Sequence, residues 1–240
     1  MNTRRWTEYL PWVTLFAVAM GFLESAVVVY LRAIYYPAGF SFPLAVMAPK
    51  LVFTELLREV ATMIMLLAPG ALISRGRLER FAWFCWSFAI WDLFYYVFLK
   101  LLLDWPESLF TWDVLFLLPT VWVGPVLAPC IISFGLLFLA AIILARRERE
   151  PGYRLTHWQW VLLVLAALVY FLSFIEGPLT YLRSVAAGTS YVLDGATTLG
   201  QYLPTSYRWS WFVVATLLAI AGMAGSLRAP FRNFGRRGRE

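Results

Sequence analysis

Ionisable and metal-binding side chains are scarce in this chain. Only 14% of its residues are Asp, Glu, Lys or Arg. It contains two cysteines, Cys85 and Cys130, and one histidine, His157. Zinc, haem and iron–sulfur centres draw on several Cys or His ligands, so most such sites are excluded. The paired Glu-x-x-His motifs of di-iron carboxylate bundles are absent from the sequence. A nucleophile–histidine–acid set, a phosphate-binding glycine loop and an aspartate-rich diphosphate motif are also missing. No metal site is expected, and no motif names a cofactor.

What fills the chain instead is apolar. Hydrophobic residues make up 61% and aromatics 18% of its 240 residues, with a mean hydropathy of +0.71. A bilayer crossing takes ~20 apolar residues. The composition therefore reads as an all-α, polytopic membrane protein, with one transmembrane helical domain over 1–240. Six apolar runs stand out, near Pro11–Tyr35, Lys50–Ser74, Phe81–Leu103, Gly124–Ala145, Trp158–Ile175 and Trp209–Leu227. Each must be helical, because lipid offers no partner to free backbone groups. Arg4 and Arg5 ahead of the first run, with Ala17-Val18-Ala19 inside it, imitate a cleaved signal. The run continues to Tyr35, too long for a signal core, so an uncleaved span is expected.

Orientation follows from arginine placement. Arg4 and Arg5, the 75–80 loop, the 146–154 loop and the 228–239 tail hold 14 of the 20 Lys and Arg residues. If each run crosses once, all of these lie on one side, which the positive-inside rule makes cytoplasmic. Both termini are then cytoplasmic, and a bacterial inner membrane is the expected location. The formal charge of +6 is explained by topology and anionic headgroups rather than by nucleic acid. Membrane lipids are the expected partners, with a homo-oligomer or a larger membrane complex left open. Eleven of the 12 Trp sit near span ends, as an aromatic belt does, and Trp91 is the exception. On the opposite face, Asp104–Val123 is apolar but broken by prolines. A short helix at 108–118, lying in the interface or re-entering the bilayer, is expected there. The Gly177–Arg208 loop is expected to carry a short helix near Leu179–Ala187.

The second run carries Glu55, Arg58 and Glu59 within its apolar length. Each charge near a bilayer centre costs at least ~2.5–3.5 kcal/mol on insertion scales, so such groups need partners. Spacings of three and four place Glu55, Arg58, Glu59 and Thr62 on one helix face. Counting along each helix at ~1.5 Å per residue sets Glu24, Glu59 and Asp92 at similar depth. Arg58 is the cation at that level, while Arg32 and Lys100 belong nearer the outer surface. Arg58 is expected within reach of Glu24 or Asp92 as well as Glu55 or Glu59. Tyr95 and Tyr96 follow Asp92 by three and four residues and can share its face. Ala17, Gly21 and Ser25 form a small-residue stripe suited to close helix approach, and Glu24 flanks it.

One arginine cannot neutralise four carboxylates. Protonation, a bound cation or outside water must balance the rest. The leading expectation is binding or transport of a proton, cation or small solute. Its candidate site is Glu24, Glu55, Arg58, Glu59, Asp92, Tyr95 and Tyr96. A membrane-embedded enzyme acting on a lipid or isoprenoid is the second class. An accessory subunit, whose Arg58 network only locks helices together, is the third.

Overall fold

A computed structural model describes residues 5–188 and 200–228. Among these residues, six helices are long and apolar enough to cross a membrane. They are α1 (Trp6–Tyr35), α2 (Pro49–Ile73), α3 (Arg77–Leu103), α4 (Leu127–Arg149), α5 (His157–Gly188) and α6 (Trp209–Arg228). A two-stranded antiparallel hairpin, β1 (Trp112–Phe116) and β2 (Trp122–Pro125), lies between α3 and α4. Large apolar side chains cover the outside: Trp12 is 71%, Leu72 85% and Leu101 73% exposed. An apolar surface of that extent is stable only against lipid or another apolar surface.

Helix α3 is the hub, packed between α1 and α4, with α2 also against it; α5 pairs with α6. The small-residue stripe of α1 makes the first contact possible. A Cβ on Gly21 would stand 2.9 Å from the Trp91 carbonyl oxygen, so only glycine lets the two backbones approach this closely. Ser25 completes the seam, its hydroxyl donating to the carbonyls of Gly21 (2.8 Å) and Tyr95 (3.0 Å). The glycines of α6 serve an internal interface. Gly222 and Gly225 abut Gln159 of α5, whose amide donates to the Gly222 carbonyl (3.2 Å) and the Ser226 hydroxyl (2.7 Å).

Two expectations about the loops are corrected. Residues 108–118 form no helix: most of them build β1 and the start of the hairpin turn. Pairing runs Asp113 to Gly124, Val114 to Val123 and Phe116 to Trp122, with an irregularity between Val114 and Phe116. Gly124 is where the hairpin seats on α5, since a Cβ there would stand 2.7 Å from the Phe174 ring. The fifth span does not stop near Ile175, and Leu179–Ala187 is no separate helix. Helix α5 runs through Gly177 and Pro178 to Gly188, and Glu176 within it pairs with Arg208 at 2.8 Å. Residues 189–199, part of the same predicted loop, lie outside the described residues.

Candidate functional site

One cavity of about 280 Å³ gathers the polar residues of the first three helices. It is lined by five carboxyl side chains, Glu24, Glu55, Glu59, Asp92 and Asp113, and by two guanidinium side chains, Arg32 and Arg58. All seven residues proposed from sequence line it, Tyr95 and Tyr96 included. Its walls reach from mid-helix positions to the α1–α2 loop (Phe40, Ala45) and to the hairpin (Leu115, Leu117). It therefore lies toward the face opposite the arginine-rich loops.

Arg58 joins α1 to α2. Its Nε donates to Glu55 Oε2 at 2.7 Å, and its Nη1 donates to Glu24 Oε1. The Thr62 hydroxyl donates to the other Glu24 oxygen at 3.2 Å. The helical spacing of Arg58 and Thr62 thus presents two donors to Glu24 of α1, while Glu55 holds Arg58 from the same helix. The expected reach of Arg58 to a neighbouring helix is met through Glu24.

Glu59 points to the hairpin. Both of its carboxyl oxygens accept from the Leu117 backbone N–H, at 2.9 and 3.1 Å. Asp92 faces α4 instead, accepting a 2.7 Å hydrogen bond from the Ser133 hydroxyl. Neither acid makes a direct ion pair among the described residues: both hydrogen-bond to neutral donors, and Glu59 feels Arg58 only through its longer-range field. Tyr96 does not bond Asp92; its hydroxyl donates to Asp113 Oδ2 at 3.3 Å.

Arg32 and Asp113 were missed as site residues. Arg32 sits in the last turn of α1, as its position suggests, but it is only 8% exposed. Its guanidinium lies between the Phe40 ring (4.4 Å) and the Trp105 ring (3.8 Å) and pairs with Asp113 Oδ1 at 3.6 Å. Two aromatic faces and a carboxylate replace water around it. Asp113 belongs to the hairpin, outside the six spanning helices. Burial pushes its carboxyl up to about 6, against the pull of Arg32 and the hydrogen bonds from Val114 and Tyr96. The available signal was a short apolar run, Val114 to Leu118, bounded by Pro106 and Pro119, which suits a buried strand as well as a helix.

The rest of the lining is aromatic. Trp91 and Trp122 flank Phe116, at 6.1 and 5.5 Å between ring centroids. Phe88 stacks on Phe116 from α3, and Phe174 on Trp122 from α5. The indole N–H groups of Trp91 and Trp122 are buried and have no hydrogen-bond partner among the described residues. A polar end of acids and arginines thus meets an aromatic end with two unused donors. No group of His, Cys, Asp and Glu among the described residues is arranged to hold a metal ion.

No family model, curated protein or solved structure matches this chain. The site's chemistry must be read from its own geometry.

Proposed function

We propose that this protein binds, and carries across the membrane, a small cationic solute at the cavity between α1, α2, α3 and the hairpin. The charge balance of that one cavity supports the reading. Five carboxyls face two guanidiniums. Arg58 engages Glu24 and Glu55, and Arg32 engages Asp113. Glu59 and Asp92 have no direct arginine partner among the described residues and hydrogen-bond to neutral donors, with Arg58 reaching Glu59 only at longer range. Buried carboxylates without a cation are costly, so each takes up a proton or a cation. A site that exchanges one for the other is the usual coupling device of carriers. The aromatic wall suits an organic cation, because Trp and Phe faces attract positive charge in a dry site.

The test is a thermal-shift screen of the purified protein against sodium, potassium, primary amines and quaternary ammonium ions. Hits then go to proteoliposomes that report proton flux with an internal dye. The expected result is stabilisation by at least one cation class, abolished by Glu59→Gln and by Asp92→Asn. If no cation stabilises the wild type, the proposal fails. A second reading has its own support in the aromatic wall with its two unused indole donors: an enzyme acting on a lipid or isoprenoid. Native mass spectrometry separates the two, since the enzyme reading requires a retained lipid or isoprenoid in this cavity.

A further inference from the structure

A second cavity, of about 650 Å³, lies on the opposite, arginine-rich face. It opens between the α2–α3 turn and the α4–α5 loop. Arg77, Arg147, Arg154 and His157 line it, with Leu78 and Trp160 on its apolar side. Among the described residues, no acidic side chain lines it.

The nearby acids are already committed. Glu79 holds Arg147 at 2.9 Å, Glu150 meets Arg146 at 3.5 Å, and Glu148 meets Arg5 at 3.7 Å. Arg147 is further fixed by the carbonyls of Pro151 and Tyr153. Arg77 and Arg154 form no ion pair among the described residues, and both are exposed. The pocket therefore presents two spare guanidiniums beside one that is rigidly placed, with a histidine at its edge. Guanidinium groups match phosphate oxygens in shape and charge. The α3 N-terminus, whose N-cap Gly76 offers no side-chain cap, adds free backbone N–H groups to the same field.

The other half of the pocket is built for an apolar body. Trp160 packs on Phe81, with ring centroids 5.1 Å apart. Beside it, Trp158 is 76% exposed, as expected of a residue at a membrane interface. A basic mouth over an apolar wall at this level matches a phosphate carried on an amphiphile.

We propose that this pocket binds a phosphate group, delivered by an anionic lipid of the arginine-rich leaflet or by free phosphate. The site is separate from the central cavity and does not depend on its role. One arginine near an anionic surface contributes roughly fivefold in affinity. Losing both spare arginines should then weaken binding about 25-fold.

The experiment titrates the full chain, purified in mild detergent, with phosphatidylglycerol, phosphatidylcholine and inorganic phosphate, counting bound molecules by native mass spectrometry. Arg77→Gln/Arg154→Gln tests the pocket. Arg183→Gln, at an exposed position near the far end of α5, is the control. Phosphatidylglycerol binding that falls about 25-fold in the double variant and is unchanged in the control supports the proposal with a lipid source. Inorganic phosphate that binds with the same arginine dependence and displaces the lipid supports it with a free source. The proposal is overturned if phosphatidylglycerol binds no better than phosphatidylcholine and inorganic phosphate does not bind either, or if whatever binds is indifferent to the double variant. Both substituted arginines are exposed, so the fold should survive their loss.

Discussion

Removal of Arg58 should be the most damaging single change in the central cavity. Its guanidinium serves two carboxylates from two edges, Nε toward Glu55 and Nη1 toward Glu24. The three side chains are only 23%, 7% and 11% exposed. Breaking a buried pair by deleting one partner costs ~3–5 kcal/mol, because the remaining charge is stranded. Arg58→Ala strands two. Glu55→Gln leaves the Arg58–Glu24 pair standing and weakens one charged hydrogen bond, a loss of roughly 1.5–3 kcal/mol. Glu24→Gln in the Arg58→Ala background removes one stranded charge and should recover part of the deficit. Arg58→Lys should fall between, since one ammonium cannot serve two acids that a guanidinium reaches from separate edges. The assay is equilibrium unfolding in mixed micelles for the wild type, the three single variants and the double variant. The reasoning is refuted if Arg58→Ala costs no more than Glu55→Gln, or if adding Glu24→Gln deepens the Arg58→Ala deficit.

Other consequences are open to equally direct tests. Gly21→Val should destabilise by ~1–3 kcal/mol through overpacking, since its side chain would meet the Trp91 and Tyr95 backbone; unchanged unfolding would disprove the tight α1–α3 seam. Cysteines placed at 107 and 110 should react with impermeant reagents from outside intact cells, and cysteines at 75 and 77 should not; the reverse pattern would invert the topology. Asp113 has a folded pKa near 6, raised by burial from an ordinary value of 3.8. Its titration therefore supports folding fully below the ordinary value, and that support is lost as pH rises through about 6. The stability deficit of Asp113→Asn should accordingly be larger at acid pH than at neutral pH, and a deficit flat across that range would contradict the buried placement.

The legible part of this protein was what the bilayer imposes locally. A spanning backbone must be helical and must bury its apolar length in lipid, so six runs could be counted directly. Three- and four-residue spacing along α2 put Glu55, Arg58, Glu59 and Thr62 on one face without reference to any other helix. Depth counting set Glu24 and Asp92 level with Glu59, and all three line one cavity, but height on a helix says nothing about rotation around its axis. That rotation was settled by packing. Gly21 and Ser25 lock α1 onto α3, α4 presents Ser133 to Asp92, and Arg58 is left to Glu24. The hairpin was decided later still. Its strands are too short to stand alone and are held by Phe174, Glu59 and Arg32, all remote in sequence. The sequence alone thus determined the number of spans and the polar face of α2, because those follow from local spacing and the solvent. Only the tertiary structure decided which acids pair directly with an arginine and which two do not, because that depends on which helix faces meet.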